Sequence, residues 1–350
     1  MSQAVFDPVR GVSASSYDGE EAVPTKALAK ITDWYIQVSD PRSSFIYPGN
    51  AKVADHPLLL STALKMRDIA DEEWGRKGRV DFSAKVHGIH YRGHVIPAQR
   101  RGDLVAFRRS ATAIPELGEL GIHPALVNLM LHNYLQRGGL VLLSGETGQG
   151  KSTTCAAMLK SRMMKFGSFC MTIEDPIEMP LDGDHGIGHC IQTEVEEGGF
   201  ASALRGAARS YPAMPGSILY LGEIRDSETA KEIIRIAING HLVVSTIHST
   251  DLMGAVQRLS LMADDEDTLL TLASVYRLGI HQRLDSVPDP ANPGEFKKRL
   301  NIEFLASAGS STPVGSKIRQ GKAITLGTEI DNQKRLLDSR GADAIVALWQ

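Results

Sequence analysis

The segment Gly145-Glu146-Thr147-Gly148-Gln149-Gly150-Lys151-Ser152 has the spacing G-x-x-x-x-G-K-S/T. A buried-strand pattern, Leu140 to Leu143, enters it, and a helical pattern from Lys151 to Met164 leaves it. Glycines let the backbone curl so that several N–H groups converge on one phosphate, and the N-terminus of the following helix adds its positive dipole end. Lys151 is placed to reach the β- and γ-phosphates of a nucleoside triphosphate, and the Ser152 hydroxyl to ligate Mg2+. The expected nucleotide contacts are therefore Gly145, Thr147, Gly148, Gln149, Gly150, Lys151 and Ser152. No Asn-Lys-x-Asp run for guanine occurs, so ATP is the expected nucleotide.

Acids and a histidine follow. Thr172-Ile173-Glu174-Asp175-Pro176-Ile177-Glu178 ends an apolar run, and Glu174 is expected to position Mg2+ or water. Ile218-Leu219-Tyr220-Leu221-Gly222-Glu223 is a second apolar run ending in an acid. Its Gly222 stands where an Asp is usual, which leaves Glu223 to polarise the attacking water and share the metal. His241 to His248 is a strand pattern framed by histidines; His248, at its C-terminal end, is expected to sense the γ-phosphate or a neighbouring subunit. Between Tyr91 and Arg109 lie Arg92, Arg100, Arg101, Arg108 and Arg109 with one acid, Asp103. Arginine forks suit phosphate oxygens.

These groups need a scaffold that gathers strand ends. From Leu140 strand and helix patterns alternate: strands at Phe169 to Ile173, Ser217 to Leu221 and His241 to Ile247, helices at Phe200 to Arg209 and Asp226 to Asn239. Such alternation implies an α/β fold with a mostly parallel sheet covered on both faces. Before it, Ile31 to Val38 and Val80 to Val95 are strand-like, and Leu60, Leu64, Arg67 and Ile69 give Leu58 to Trp74 a helical spacing. A further helix is expected from Ile122 to Arg137, stopped by Gly138-Gly139. The expected organisation is a mobile tail over 1–25, an N-terminal domain over 26–110, a linker over 111–121, an ATPase domain over 122–285 and a C-terminal extension over 286–350.

The 350 residues carry a net charge of -3, with Lys+Arg 38 against Asp+Glu 41. That balance argues against a protein whose main task is gripping nucleic-acid phosphates. No apolar run approaches the ~18 residues of a membrane span, and the first 20 residues lack the apolar core of a secretory signal. The 3 cysteines, Cys155, Cys170 and Cys190, form neither a disulfide framework nor a zinc pattern, which fits a reducing, cytoplasmic setting.

Together these segments resemble the secretion ATPase superfamily of type II and type IV machines, PilT-like and DotB-like ATPases above all. Gly145 to Thr154, including Thr153, looks like its Walker A, Thr172 to Glu178 its Asp box, Gly222-Glu223-Ile224-Arg225-Asp226 its Walker B, and Gly240-His241-Leu242 through Thr250 its His box. Gly279-Ile280-His281-Gln282-Arg283-Leu284 looks like the segment that follows. The resemblance implies a RecA-like P-loop domain behind a PAS-like α+β domain, assembled as a homohexameric ring. It implies that N-terminal arginines close over the nucleotide: Arg92, Arg100 or Arg101, and Arg108; Arg209 resembles a further family arginine. The implied partner is an inner-membrane platform protein of a pilus or secretion machine, with membrane association only through partners and no stable nucleic-acid binding. A nucleic-acid translocase and a small-molecule kinase are the alternatives. Val314 to Arg319 replaces the family's retraction motif, and Tyr211 to Gly216 is longer than the usual link.

Overall fold

A computed structural model describes residues 28, 31–47, 52–98, 102–195, 199–207, 209–211, 216–288 and 296–349. The expected tail over 1–25, Arg100, Arg101 and most of the link before the Walker B strand lie outside them. The chain divides into two compact units: the residues up to Ala113 with Asp175–Pro180, and Ile114–Glu174 with Leu181 onward.

The first unit is an antiparallel sheet of strands β1 (Asp33–Gln37), β2 (Phe45–Tyr47), β3 (Asp81–Val86), β4 (Ile89–Ile96) and β5 (Leu104–Arg109), in the order β2-β1-β5-β4-β3. It packs with helix α1 (Pro57–Ala70). In β4, Ile89, Tyr91 and Val95 point to the core, and the intervening His90, Arg92 and His94 point away. Gly93 is there because a Cβ would run into the Phe82 ring. The strand-like stretch from Val80 to Val95 is folded into a hairpin at His87-Gly88, where both residues have positive φ (49° and 76°). Helix α1 exists, but its inner face is Leu59, Thr62, Ala63, Met66 and Ala70, while Leu64 is exposed. The true stripe uses small and polar residues that a search for leucines passes over.

In the second unit, strands β6 (Gly139–Ser144), β7 (Phe169–Glu174), β8 (Gly183–His185), β9 (Gly188–Glu194), β10 (Ile218–Leu221), β11 (Leu242–Ile247), β12 (Tyr276–Pro288) and β13 (Phe296–Ala306) form one sheet, ordered β13-β12-β6-β11-β10-β7-β9-β8. Every pair from β12 through β9 is parallel; β8 and β13 are antiparallel edges. The helices are α2 (Pro124–Met130), α3 (Lys151–Phe166), α4 (Gly199–Ala207), α5 (Ser227–Ile238), α6 (Leu252–Ala263), α7 (Glu266–Val275), α8 (Pro313–Arg319), α9 (Gly327–Arg340) and α10 (Ala342–Val346).

Both faces are buried, as a parallel sheet requires. Leu140, Leu142, Ile173, Leu219 and Leu221 join one core with α4 to α8. The alternate residues Val141, Leu143, Cys170 and Tyr220 are equally buried outside that core, and α3 packs on β6, β7, β9 and β11. Helix α5 is capped by Asp226, whose side chain accepts the Thr229 N–H at 2.8 Å. Its buried stripe is Ala230, Ile233, Ile234 and Ala237, and Ile238 beside it is 52% exposed.

The expected single helix to Arg137 is broken. α2 ends at Met130 and a 3-10 turn covers Asn133–Arg137. Arg162, 1% exposed, donates from Nη1 to the carbonyls of Met130 (2.9 Å) and His132 (3.2 Å), replacing the helical bonds the break gives up. At the other end of the unit the expected boundary at residue 285 falls inside β12. β13 pairs with β12 from Phe296 to Ala306, so the sheet runs on beyond that point.

Candidate nucleotide site

Strand register decides where the chemistry gathers. Ser144 pairs with Ile247, Ser245 with Leu221, and Leu221 with Ile173. The loop after β6, the acid ending β7, and the segments after β10 and β11 therefore leave one C-terminal edge of the sheet, where open α/β sheets bind ligands.

Gly145–Gly150 forms the loop and α3 begins at Lys151. Lys151 is 8% exposed, and its ammonium donates to the carbonyls of Gly145 (2.8 Å) and Glu146 (2.9 Å). It is thus held over the loop that presents its N–H groups. Thr147, Gly148 and Gln149 lie on the loop, and Ser152 and Thr153 on the first turn of α3.

Glu174 ends β7 at 3% exposure, and Gln192 on neighbouring β9 donates from Nε2 to its Oε1 at 2.8 Å. The other end of that amide accepts the N–H groups of Leu181 (2.7 Å) and Asp182 (2.8 Å). Gln192 therefore fixes the carboxylate, a role no motif announced because the two residues meet only across strands.

Glu223 follows β10. Its Oε2 takes the Arg225 Nε–H at 3.1 Å and its Oε1 lies 3.4 Å from His248 Nε2. The two segments are stitched together: Thr246 Oγ1 donates to the Gly222 carbonyl at 2.6 Å, and the Ile224 N–H to the Thr246 carbonyl at 2.9 Å. The geometry so joins Glu223 to His248. His241 sits at the opposite edge, with Nδ1 2.7 Å from Ser217 Oγ and its ring against Tyr211. Burial lowers its pKa, which favours the neutral ring.

The cysteines take no part. All three are buried, and burial pushes the Cys155 thiol far above its ordinary range.

Arg92 and Arg108 belong to the first unit. At opposite ends of the arginine cluster, they are directly paired across β4 and β5, on one face of the sheet. Arg108 Nε donates to Asp33 Oδ1 at 2.8 Å, and Arg92 lies 3.6 Å from Asp81 and 3.7 Å from Glu178. Arg209 is exposed just beyond α4.

Among the described residues no group of three or more His, Cys, Asp or Glu side chains is arranged to hold a metal by itself. Mg2+ does not ask for one: it takes one or two protein oxygens and completes its shell with phosphate and water. The Ser152 hydroxyl with the Glu174 and Glu223 carboxylates are hard oxygen donors of that kind on one sheet edge.

The family model described as "Type II/IV secretion system protein" matches residues 56–327. The uncharacterized protein YggR of Escherichia coli (strain K12) is 33% identical over 258 residues, 71% of this chain and 72% of that protein. The type IV pilus assembly ATPase PilB of Thermus thermophilus is 32% identical over 255 residues; the match takes in 69% of this chain but 27% of PilB. The crystal structure of the pilus retraction motor PilT with bound ADP superposes with a TM-score of 0.67 at 25% identity, covering 93% of this chain and 92% of that one.

Proposed function

The chain belongs to the type II/IV secretion system protein family, an ATP hydrolase with a RecA-like P-loop domain and an accessory α+β domain; on that premise we propose that it is the hexameric motor of a pilus or secretion machine. The carrying observation is the single sheet edge that gathers Lys151, Glu174, Glu223 and His248.

In this reading Lys151 leaves the Gly145 and Glu146 carbonyls for the β/γ-phosphate oxygens. Glu223 accepts a proton from water as the water oxygen bonds the γ-phosphorus. The bond from that phosphorus to the β,γ-bridging oxygen breaks, leaving ADP and phosphate. Ser152, Glu174 and Glu223 would hold Mg2+, which neutralises charge on the phosphate oxygens. His248, against Glu223, reports the state of that acid to the segment after β11. Arg92 and Arg108 are assigned to the nucleotide in the closed state, and the first unit to the PAS-like class. The motor works at the cytoplasmic face of an inner membrane, through a platform partner. No helix among the described residues is long and apolar enough to cross a membrane.

The test is steady-state ATPase together with solution mass, with and without ATP. We expect a nucleotide-dependent hexamer whose turnover is unchanged by DNA. Lys151→Ala should fold normally and lose at least ~10²–10³-fold in turnover, the effect of removing one preorganised charge donor. Wild-type turnover in that variant removes the phosphate-loop assignment; stimulation by DNA favours a translocase; a monomer at all concentrations removes the ring.

A further inference from the structure

Strand β12 pairs with β6 as far as His281, opposite Ser144, and then continues to Pro288 beside the phosphate loop. β13 supports this projecting half on one side, with Gln282 opposite Ile302 and Leu284 opposite Leu300. Gln282 and Leu284 alternate with Arg283, so they share a face, and that face meets the loop. The Gln282 side chain donates from Nε2 to the Gln149 carbonyl at 2.5 Å. In return the Gln149 side chain accepts the Leu284 backbone N–H at 2.6 Å. Each segment thus holds the other's backbone with a glutamine amide. The loop lies so close that a Cβ on Gly145 would stand 2.5 Å from the Gln282 carbonyl oxygen, and one on Gly150 3.3 Å from Gln282 Nε2.

Gln282 is 1% exposed and its Oε1 has no hydrogen-bond partner among the described residues. A buried orphan acceptor costs stability, so if the position only filled space a methionine would fill it better. What the amide alone provides is the N–H on the loop carbonyl. We propose that Gln282 is a positioning residue for the nucleotide: it pins the Gln149 carbonyl and so keeps the loop's N–H groups converged on the phosphate site. This rests on the ATP-hydrolase reading above. The loop meets phosphate in the ground state and the transition state alike, so loss of the pin weakens both equally and raises KM without lowering kcat.

The test uses the full chain with Gln282→Met and Gln282→Glu, a fluorescent ADP for Kd, steady-state ATPase for KM and kcat, and melting without nucleotide. For Gln282→Met we expect Kd and KM to rise about 3–10-fold, the worth of one net hydrogen bond, with kcat within about twofold. Its melting temperature should hold or rise, because the orphan acceptor is gone. Gln282→Glu has nearly the same volume and, once ionised, only acceptors to offer a carbonyl, so it is measured at pH 9 as well as at pH 7. It should weaken ADP more than Gln282→Met, and it carries the test where that variant does not fold. Unchanged ADP affinity in the variants, a kcat loss at unchanged Kd, or a lower melting temperature at unchanged affinity each overturns the proposal. If the wild type itself fails to bind ADP, the nucleotide reading falls and the proposal with it.

Discussion

The parallel sheet of the second unit and the antiparallel sheet of the first treat charge in opposite ways. The parallel strands from β12 through β9 all end at the same edge, so Lys151, Glu174, Glu223 and His248 collect there, on loops or strand termini. They are steadied there by neighbours close in the chain or on the next strand, as Gln192 steadies Glu174 and Arg225 steadies Glu223. In the antiparallel sheet charges face one another across strands and settle against opposite charge: Arg108 on Asp33, and Arg92 near Asp81. One arrangement gathers its charged groups at a single edge and the other spreads them over the sheet in cross-strand pairs. The arginines assigned to the nucleotide must therefore leave their partners to act. That costs little. Arg108 is 75% exposed, and exposed ion pairs are worth ~0–1 kcal/mol, against ~4–7 kcal/mol for an arginine finger.

The sharpest way to break this contrast is Arg92→Ala and Arg108→Ala. If they reach the γ-phosphate, turnover falls ~10³–10⁵-fold with little change in ADP affinity, and lysine does not rescue it. Asp33→Asn, which frees Arg108 from its partner, should leave turnover within about threefold, because it removes only an exposed pair. Alanine variants close to wild type would make the arginines a solvated sheet face. Next comes Glu223→Gln, which keeps the shape of the collected edge and removes its base. ATP should still bind while turnover falls ~10²–10⁴-fold. A dead Glu174→Gln beside a working Glu223→Gln would move the base to β7.

The smallest effect sits at the quiet edge of the same sheet. Burial lowers the His241 pKa, so as pH falls below about 6.5 the unfolded chain takes up the proton first. Stability from this group is full above that pH and is lost below it. Melting curves at pH 7.5 and 5.5 should show a smaller acid loss in His241→Gln than in wild type, with turnover at pH 7.5 unchanged. An identical acid loss in both would mean that His241 is not held neutral by the fold.

Much of the second unit was legible because its signals are local. Strand, glycine loop, lysine and helix occupy one run from Leu140 to Met164, and α5 carries both its cap and its stripe. The β8–β9 hairpin was not legible. It is short, exposes Ile187 and Ile191, and is defined by pairing to β7 rather than by its own pattern. Nor was the break after α2, which depends on Arg162, 32 residues beyond Met130. In the first unit the turn at His87-Gly88 was hidden inside a run of strand formers.

The sequence by itself determined the phosphate loop and those elements that carry their own period, since helical and strand periodicity and glycine spacing act over a few residues. Only the tertiary structure decided which acids share an edge, that Arg92 stands opposite Arg108, and that Gln282 lies on Gln149 across 133 residues. Those choices come from strand order and register, which depend on burying two faces of a sheet at once. No short stretch of chain holds that information.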